Sequence, residues 1–264
     1  MKLSSLVLIA ALGMTSVNAL ASTPNFQNIT EGDFISIMND FSALSSYTSV
    51  SGASGRGNIF GFEVGLIGSL TQTPNVNSVA QKTDSSISIP QMPNAGLLGA
   101  ISIPGGFGFE VVLLPKYTSN GVNLAQFGGA VQYKLLDFPI SISVKAHYTK
   151  TTFDFTETLG GGSATVKFDD SIYGADLMAG KDLIFLEPYV GLGYASASAN
   201  LGVSGTASSI YSPSYTTAQT SSASPSSARV LVGVNFKLLL ISLGAEYLRT
   251  FGTDRYSFKL SAGF

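Results

Sequence analysis

Along most of the chain, apolar side chains take turns with small or polar ones. The last stretch shows this best: Tyr256, Phe258, Leu260, Ala262 and Phe264 alternate with Ser257, Lys259, Ser261 and Gly263. A period of two belongs to a strand whose two faces meet different surroundings. The same rhythm runs through 58–70, where Phe60, Phe62, Val64 and Leu66 oppose Gly61, Glu63, Gly65 and Ile67. It recurs in "NAGLLGAISI", "FGFEVVLLPKY", "AQFGGAVQYKLL", "ISISVKAHYTK", "SIYGADLMAG", "PYVGLGYASASANL", "ARVLVGVNFKLL" and "ISLGAEYLRTF". With "DRYSFKLSAGF" that makes about ten strands, give or take two.

The connections alternate in length. Short ones are expected at 104–106, 136–139, 181–187 and 239–241, and longer polar ones at 72–93, 118–123, 156–169 and the Ser/Thr-rich 205–227. "PGG" at Pro104 to Gly106 reads as a tight turn.

Two segments before residue 57 break the rhythm. "MKLSSLVLIAALGMTSVNALAS" has a positive start at Lys2, a short apolar run and an Ala19-Leu20-Ala21 cleavage pattern, so residues 1–21 read as a secretory signal. In 22–56, Phe34, Ile37, Met38, Phe41 and Leu44 recur near a helical period. The spacing predicts a short amphipathic helix from Asp33 to Ser45, capped by Thr30 or Asp33, then a flexible link, "SVSGASGRG". The rest, 57–264, reads as one β domain.

Composition decides what surrounds the strands. The chain is 45% hydrophobic but only 11% charged, and no second apolar run reaches the ~18 residues of a spanning helix. A soluble β-sandwich would fill its polar faces with Lys, Glu and Asp; here those faces carry mostly Gly, Ala and Ser. A closed barrel satisfies its backbone in lipid without a helix. Aromatic faces ending in Tyr133, Tyr148, Tyr194 and Tyr247 suit membrane–water girdles. The expected fold is all-β, an antiparallel transmembrane barrel of about ten strands with a short N-terminal amphipathic helix.

The terminal strand resembles the C-terminal assembly signal of Gram-negative outer-membrane β-barrel proteins, through Tyr256, Phe258, Leu260 and the final Phe264. The resemblance covers the export signal, the last strand and the strand rhythm. It implies an outer-membrane location, insertion by the barrel-assembly machinery, and both termini in the periplasm.

With the aromatic faces toward lipid, Glu63, Glu110, Asp176 and Glu246 point inward against Lys134, Lys145, Lys237 and Lys259, with His147 among them. Glu63 and Lys259 meet across the closure, and Glu246 and Lys237 lie on adjacent strands beside them. Opposed charges in a narrow lumen satisfy one another, whereas a selective pore favours rings of one sign. Gly61, Gly65, Gly128, Ala130, Gly191, Gly193, Ala195, Gly233 and Gly244 leave inner volume that something must occupy. The N-terminal segment is the candidate plug, loosely like the hatch of the long-chain fatty-acid transporter type of barrel. Lys150 and Arg249, facing outward near strand ends, are placed for lipid headgroup phosphates.

Other chemistry finds little material. There is no cysteine and one histidine, so no disulfide, thiolate metal site or cofactor is expected. Without a basic run, nucleic acid is excluded as a partner. His147 with Ser143, Thr149 and Asp154 or Glu157 is the one arrangement to test for a lipid hydrolase; the expectation is no enzyme. The expected partners are outer-membrane lipid and a small, partly apolar solute moved through a narrow plugged barrel. The alternative is a structural or surface-interaction barrel working through its loops.

Overall fold

The computed structural model describes residues 31–55, 60–83, 85–86, 88–119, 122–159, 162–205 and 218–263. Helix α1 (Glu31–Ser45) precedes strand β1 (Gly61–Gln72), helix α2 (Pro74–Thr83), β2 (Gln91–Ile103), β3 (Phe107–Ser119), β4 (Val122–Leu136) and β5 (Ser141–Leu159). Then follow β6 (Gly162–Gly180), β7 (Leu186–Gly205), β8 (Ala218–Ala223), β9 (Ser226–Leu238), β10 (Ile241–Thr250) and β11 (Thr253–Gly263).

Neighbouring strands pair antiparallel around a complete ring, and β1 closes it on β11 with Glu63 opposite Gly263 and Thr71 opposite Arg255. β7 pairs with β9 over Leu186–Ser196 and with β8 over Ala199–Ser204. β8 and β9 are therefore one stave broken at Pro225, which has no amide to donate; its carbonyl accepts from the Ala197 amide at 2.8 Å. The barrel has ten staves, as the alternation predicts.

The two ends of the barrel differ. One carries the short connections 104–106, 137–140, 181–185 and 239–240. There Gly105 and Gly106 take positive φ, +91° and +82°, which a Cβ would oppose. The other end carries α2 and the Phe251-Gly252 turn.

Four loop expectations need correcting. Of the Ser/Thr-rich 205–227 stretch, residues 218–223 and 226–227 are strand, in β8 and β9. Residues 74–83 of the 72–93 stretch are helical, because Asp40 supplies a cap from outside the segment. Residues 156–159 and 162–169 are strand, since β5 and β6 run on as a hairpin paired to Leu159–Gly162. Residues 118–119 and 122–123 also pair, so no long loop joins β3 to β4. β5 has 19 residues and β11 has 11, so one side of the wall overtops the other by roughly 25 Å of strand.

The period-two reading assigns the faces correctly. Outside, exposed Val144, Tyr148, Leu177, Tyr173, Leu192, Tyr194, Phe258 and Tyr256 form an apolar belt. Tyr148, Tyr173, Tyr194, Tyr247 and Tyr256 margin it toward the α2 end; Tyr148 pairs with Tyr173 and Tyr247 with Tyr256. Tyr133 belongs to the other margin, 4.7 Å from Phe107 between ring centroids. Inside, the wall is buried and mostly polar, with an apolar stretch around Phe168, Ile172, Met178 and Leu201.

Candidate functional site

What fills the barrel is its own N-terminal segment. α1 sits in the α2 end of the lumen, where Ile37 and Met38 pack with Phe168, Ala199, Leu201 and Val79, and Phe41 lies on Phe153 and Phe168. Ala43 joins Ile172, Ala195, Ala197 and Phe251. Leu44 is buried, and the Phe34 side chain lies outside the described ones. From Ser46 the chain leaves the helix and runs down the lumen to Gly55 at the short-turn end.

As far as Gly55 the glycine-rich link expected to be flexible is thus a strap, and every residue from Ser42 to Ser54 is buried; Arg56 and Gly57 lie outside the described residues. α1 lies at the end of the barrel opposite Gly61 and Gly263, where Asp40 accepts from Thr253 Oγ1 at 3.3 Å. Phe264 itself lies outside the described residues; Tyr256, Phe258 and Leu260 face outward and exposed.

The inner wall grips the strap with polar groups, rung by rung. Asn94 Nδ2 donates to the Leu44 carbonyl at 3.1 Å and Gln126 Nε2 to that of Ser45 at 2.9 Å. Arg229 donates to Ser46 Oγ and, at 3.0 Å, to the Tyr47 carbonyl, while Arg255 donates to the Ser46 carbonyl. Tyr47 donates to Glu110 at 2.9 Å and stacks on His147 with ring centroids 5.6 Å apart. Thr48 donates to Glu246 at 2.5 Å, and Lys145 donates to Ser49 Oγ at 3.0 Å. At the foot, Gln132 Nε2 donates to the Gly52 carbonyl at 3.0 Å, and the Ser54 amide to Glu187 at 2.9 Å.

Two of the inward glycines seat the strap, while Gly65, Gly191, Gly193 and Gly233 make room for wall residues. A Cβ on Gly128 would lie 3.0 Å from the Tyr47 ring, and one on Gly244 would lie 2.7 Å from Val50 Cγ1. Val50, fully buried, takes φ +49°, a conformation that costs a β-branched residue about 1–3 kcal/mol.

All nine charged or titratable residues expected inside face the lumen. Lys259 meets Glu63 at 2.8 Å across the closure, and Lys145 meets Glu110 at 3.2 Å. Lys237 does not pair with Glu246. It lies 2.8 Å from Asp182 and 3.2 Å from Glu187, while Glu246 accepts from Thr48 and Tyr189. Lys134 reaches Asp137 at 3.1 Å. Asp176 is held by Arg229 at 2.8 Å and lies 3.5 Å from His147.

Four lumen groups that counting by twos could have found were missed: Asp170, Glu187, Arg229 and Arg255. Each keeps the parity of a neighbour already read as inward, Arg229 with Lys237 and Arg255 with Lys259. Asp40 could not be found so, because it acts from a helix. It accepts from the Asn75 and Val76 amides at 2.8 and 2.9 Å and from Asn75 Nδ2 at 2.8 Å, capping the first turn of α2. Burial raises its carboxyl above the ordinary value of 3.8, against the lowering effect of those bonds.

The hydrolase arrangement does not assemble. The acid beside His147 is Asp176, not Asp154, and the Glu157 side chain lies outside the described ones; neither ring nitrogen of His147 has a hydrogen-bond partner among the described residues. Ser143 Oγ is taken by Gln132 Nε2 at 2.9 Å. Activation of a hydroxyl needs it within hydrogen-bond reach of its base. Lys150 and Arg249 point outward and exposed beyond Tyr148 and Tyr247; Arg249 also pairs with Asp254 at 2.8 Å.

A sequence profile for a family of unknown function, DUF6588, matches residues 72–253. The chain belongs to this family. The DUF6588 match takes in the wall from the end of β1 to the start of β11 and leaves out α1 and the strap. No curated protein matches the chain. Among solved structures it is similar to the outer membrane protease OmpT from Escherichia coli, at 12% identity and a TM-score of 0.42 over 81% of this chain and 98% of that one. It is also similar to the translocator domain of the autotransporter NalP from Neisseria meningitidis, at 9% identity and a TM-score of 0.42, covering 86% and 92%. The attachment invasion locus protein Ail of Yersinia pestis is 12% identical with a TM-score of 0.28, covering 77% and 95%. At these scores no activity is carried over from them.

Proposed function

We propose that this protein is an outer-membrane barrel that passes a small, partly apolar solute, with residues 31–55 as a plug whose strap, Ser46 to Gly55, moves for passage. In this reading the apolar belt faces lipid, since a band of exposed Phe, Leu, Val and Tyr around a whole barrel is far more than a soluble surface carries. The short turns lie in the periplasm, and the tall β5–β7 wall and α2 lie outside. Lys150 and Arg249 then sit at the outer margin, among headgroup phosphates. β11 presents Tyr256, Phe258 and Leu260 to the assembly machinery.

The observation that carries the reading is how the strap is held. Most of its partners are hydroxyls, carbonyls and charged side chains; its apolar contacts are confined to Val50, strained and packed with Ile67, Leu98 and Ala100, and Ala53, packed with Met178, Tyr189, Leu231 and Leu248. Polar contacts of this kind exchange for water at a net cost of about 1 kcal/mol each, or about 1.5–3 where a charged group takes part, and water can replace them group by group as it cannot replace an apolar seal. Both ring nitrogens of His147, Thr149 Oγ1, Asn235 Oδ1 and Ser54 Oγ have no hydrogen-bond partner among the described residues, which favours wetting the seam further.

The test is planar-bilayer conductance of the refolded mature chain and of a variant lacking residues 31–55, each checked for β-sheet by circular dichroism. Conductance that appears or rises several-fold in the variant is expected. Equal silence from two folded proteins would overturn the transport reading and leave a sealed barrel acting through its outer surface.

A further inference from the structure

At the short-turn end the strap does not fill the barrel. A cup of about 610 Å³ opens there, within the 300–1,000 Å³ common for small-molecule sites. Its floor is the strap itself, at Ser51, Gly52, Ser54 and Gly55, and its walls are staves of the barrel.

The charges of this cup are balanced and arranged in neighbouring pairs. Four acids, Glu63, Asp137, Asp182 and Glu187, face four lysines, Lys134, Lys181, Lys237 and Lys259. Three of the lysines are engaged: Lys259 with Glu63, Lys134 with Asp137, and Lys237 between Asp182 and Glu187. Lys181, exposed at the rim, forms no ion pair among the described residues. A lone anion entering here meets four carboxylates, and a lone cation meets four ammonium groups. A molecule with one charge of each sign, set a few bonds apart, can meet an opposite partner at both ends.

We propose that the cup binds small zwitterionic solutes of the amino-acid or short-peptide class. The ligand carboxylate goes to Lys181 and Lys237, and its ammonium group to Asp182 and Glu187. Glu187 is the hinge of the arrangement because one of its oxygens accepts from the strap's Ser54 amide and the other faces Lys237. An ammonium group at Glu187 competes for the bond that holds the foot of the strap. This deepens the plugged-barrel reading by giving its solute a class and an entry point. Occupancy, however, is measured without any passage, so binding can fail while conductance succeeds, and the reverse.

The experiment titrates three tripeptides onto the refolded mature chain in detergent micelles, read by saturation-transfer NMR. They are free trialanine, its N-acetylated form, which is an anion, and its C-terminal amide, which is a cation. Free trialanine should bind saturably, with each blocked form at least tenfold weaker. The double variant Lys181→Ala/Asp182→Ala alters two exposed turn residues and leaves the Glu63–Lys259 and Glu187–Lys237 contacts in place. It should weaken free trialanine at least tenfold without changing the circular dichroism. Non-saturable binding, equal binding of the three peptides, or an unaffected double variant would each overturn the proposal.

Discussion

The two halves of the N-terminal segment lie in one lumen and are held by different physics. α1 presents Ile37, Met38, Phe41 and Ala43 to an apolar stretch of wall around Phe168 and Ile172. The strap below it, Ser46 to Gly55, presents hydroxyls and carbonyls to Arg229, Arg255, Lys145, Glu110 and Glu246. Moving α1 out exposes apolar surface to water, at about 25 cal/mol per Å². Moving the strap uncovers apolar surface only at Val50 and Ala53 and otherwise exchanges hydrogen bonds for hydration, at about 1 kcal/mol net each, or about 1.5–3 where a charged group takes part. The helix is thus the anchor and the strap the part that yields.

The largest break in this comparison comes from Arg229→Ala. It leaves Asp176 buried beside His147 without its cation and removes two donors from Ser46 and Tyr47, at a cost of about 3–5 kcal/mol. The urea midpoint should fall accordingly. The chain has no cysteine, so single reporters are clean: maleimide should label Ser51→Cys faster in the Arg229→Ala background and leave Ala43→Cys protected. Equal acceleration at both sites would mean that the two halves move as one.

Phe168→Ala attacks the other half. Removing a fully buried ring that contacts Phe41 costs about 3 kcal/mol. The labelling pattern should invert, with Ala43→Cys gaining more than Ser51→Cys. A smaller effect is expected from Gly244→Val, whose Cβ would lie 2.7 Å from Val50. Overpacking there costs about 1–3 kcal/mol and should raise Ser51→Cys labelling alone. A circular dichroism melt with labelling at both positions separates strap displacement from general loosening.

The contrast between wall and plug also explains what could be read from sequence. Each wall residue has a two-fold choice, and one clear stave, Phe258 out and Lys259 in, sets the parity for the rest. Glu63 and Lys259 were therefore legible as a pair before any coordinates. The strap has no period: Ser46, Thr48, Ser51 and Gly52 are loop residues by composition, and their burial depends on staves far along the chain. α2 was hidden for a similar reason. Its cap is Asp40, 35 residues earlier, so "TPNVNSVAQKT" carries too little signal of its own.

Asp40 offers the finest test of the anchor, because it ties α1 to α2 and its effect is small. Asp40→Asn keeps the shape and still accepts from the Asn75 and Val76 backbone amides, but gives up the oxygen that accepts from Asn75 Nδ2 and Thr253 Oγ1, so at neutral pH the loss should be about 1 kcal/mol. The pH dependence carries the information. Burial raises the Asp40 carboxyl above 3.8 in the folded chain, so the folded protein holds that proton more tightly than the unfolded one. Its stabilising contribution is then fully present below 3.8 and is lost as the pH rises through the folded value. Asparagine does not titrate. The stability of the natural chain relative to Asp40→Asn should therefore improve as the pH falls from neutral toward 4, in paired urea titrations of the two proteins. A difference that stays flat, or moves the other way, would mean that the amides of α2 outweigh burial and that the helix cap, rather than the closed lumen, governs this carboxylate.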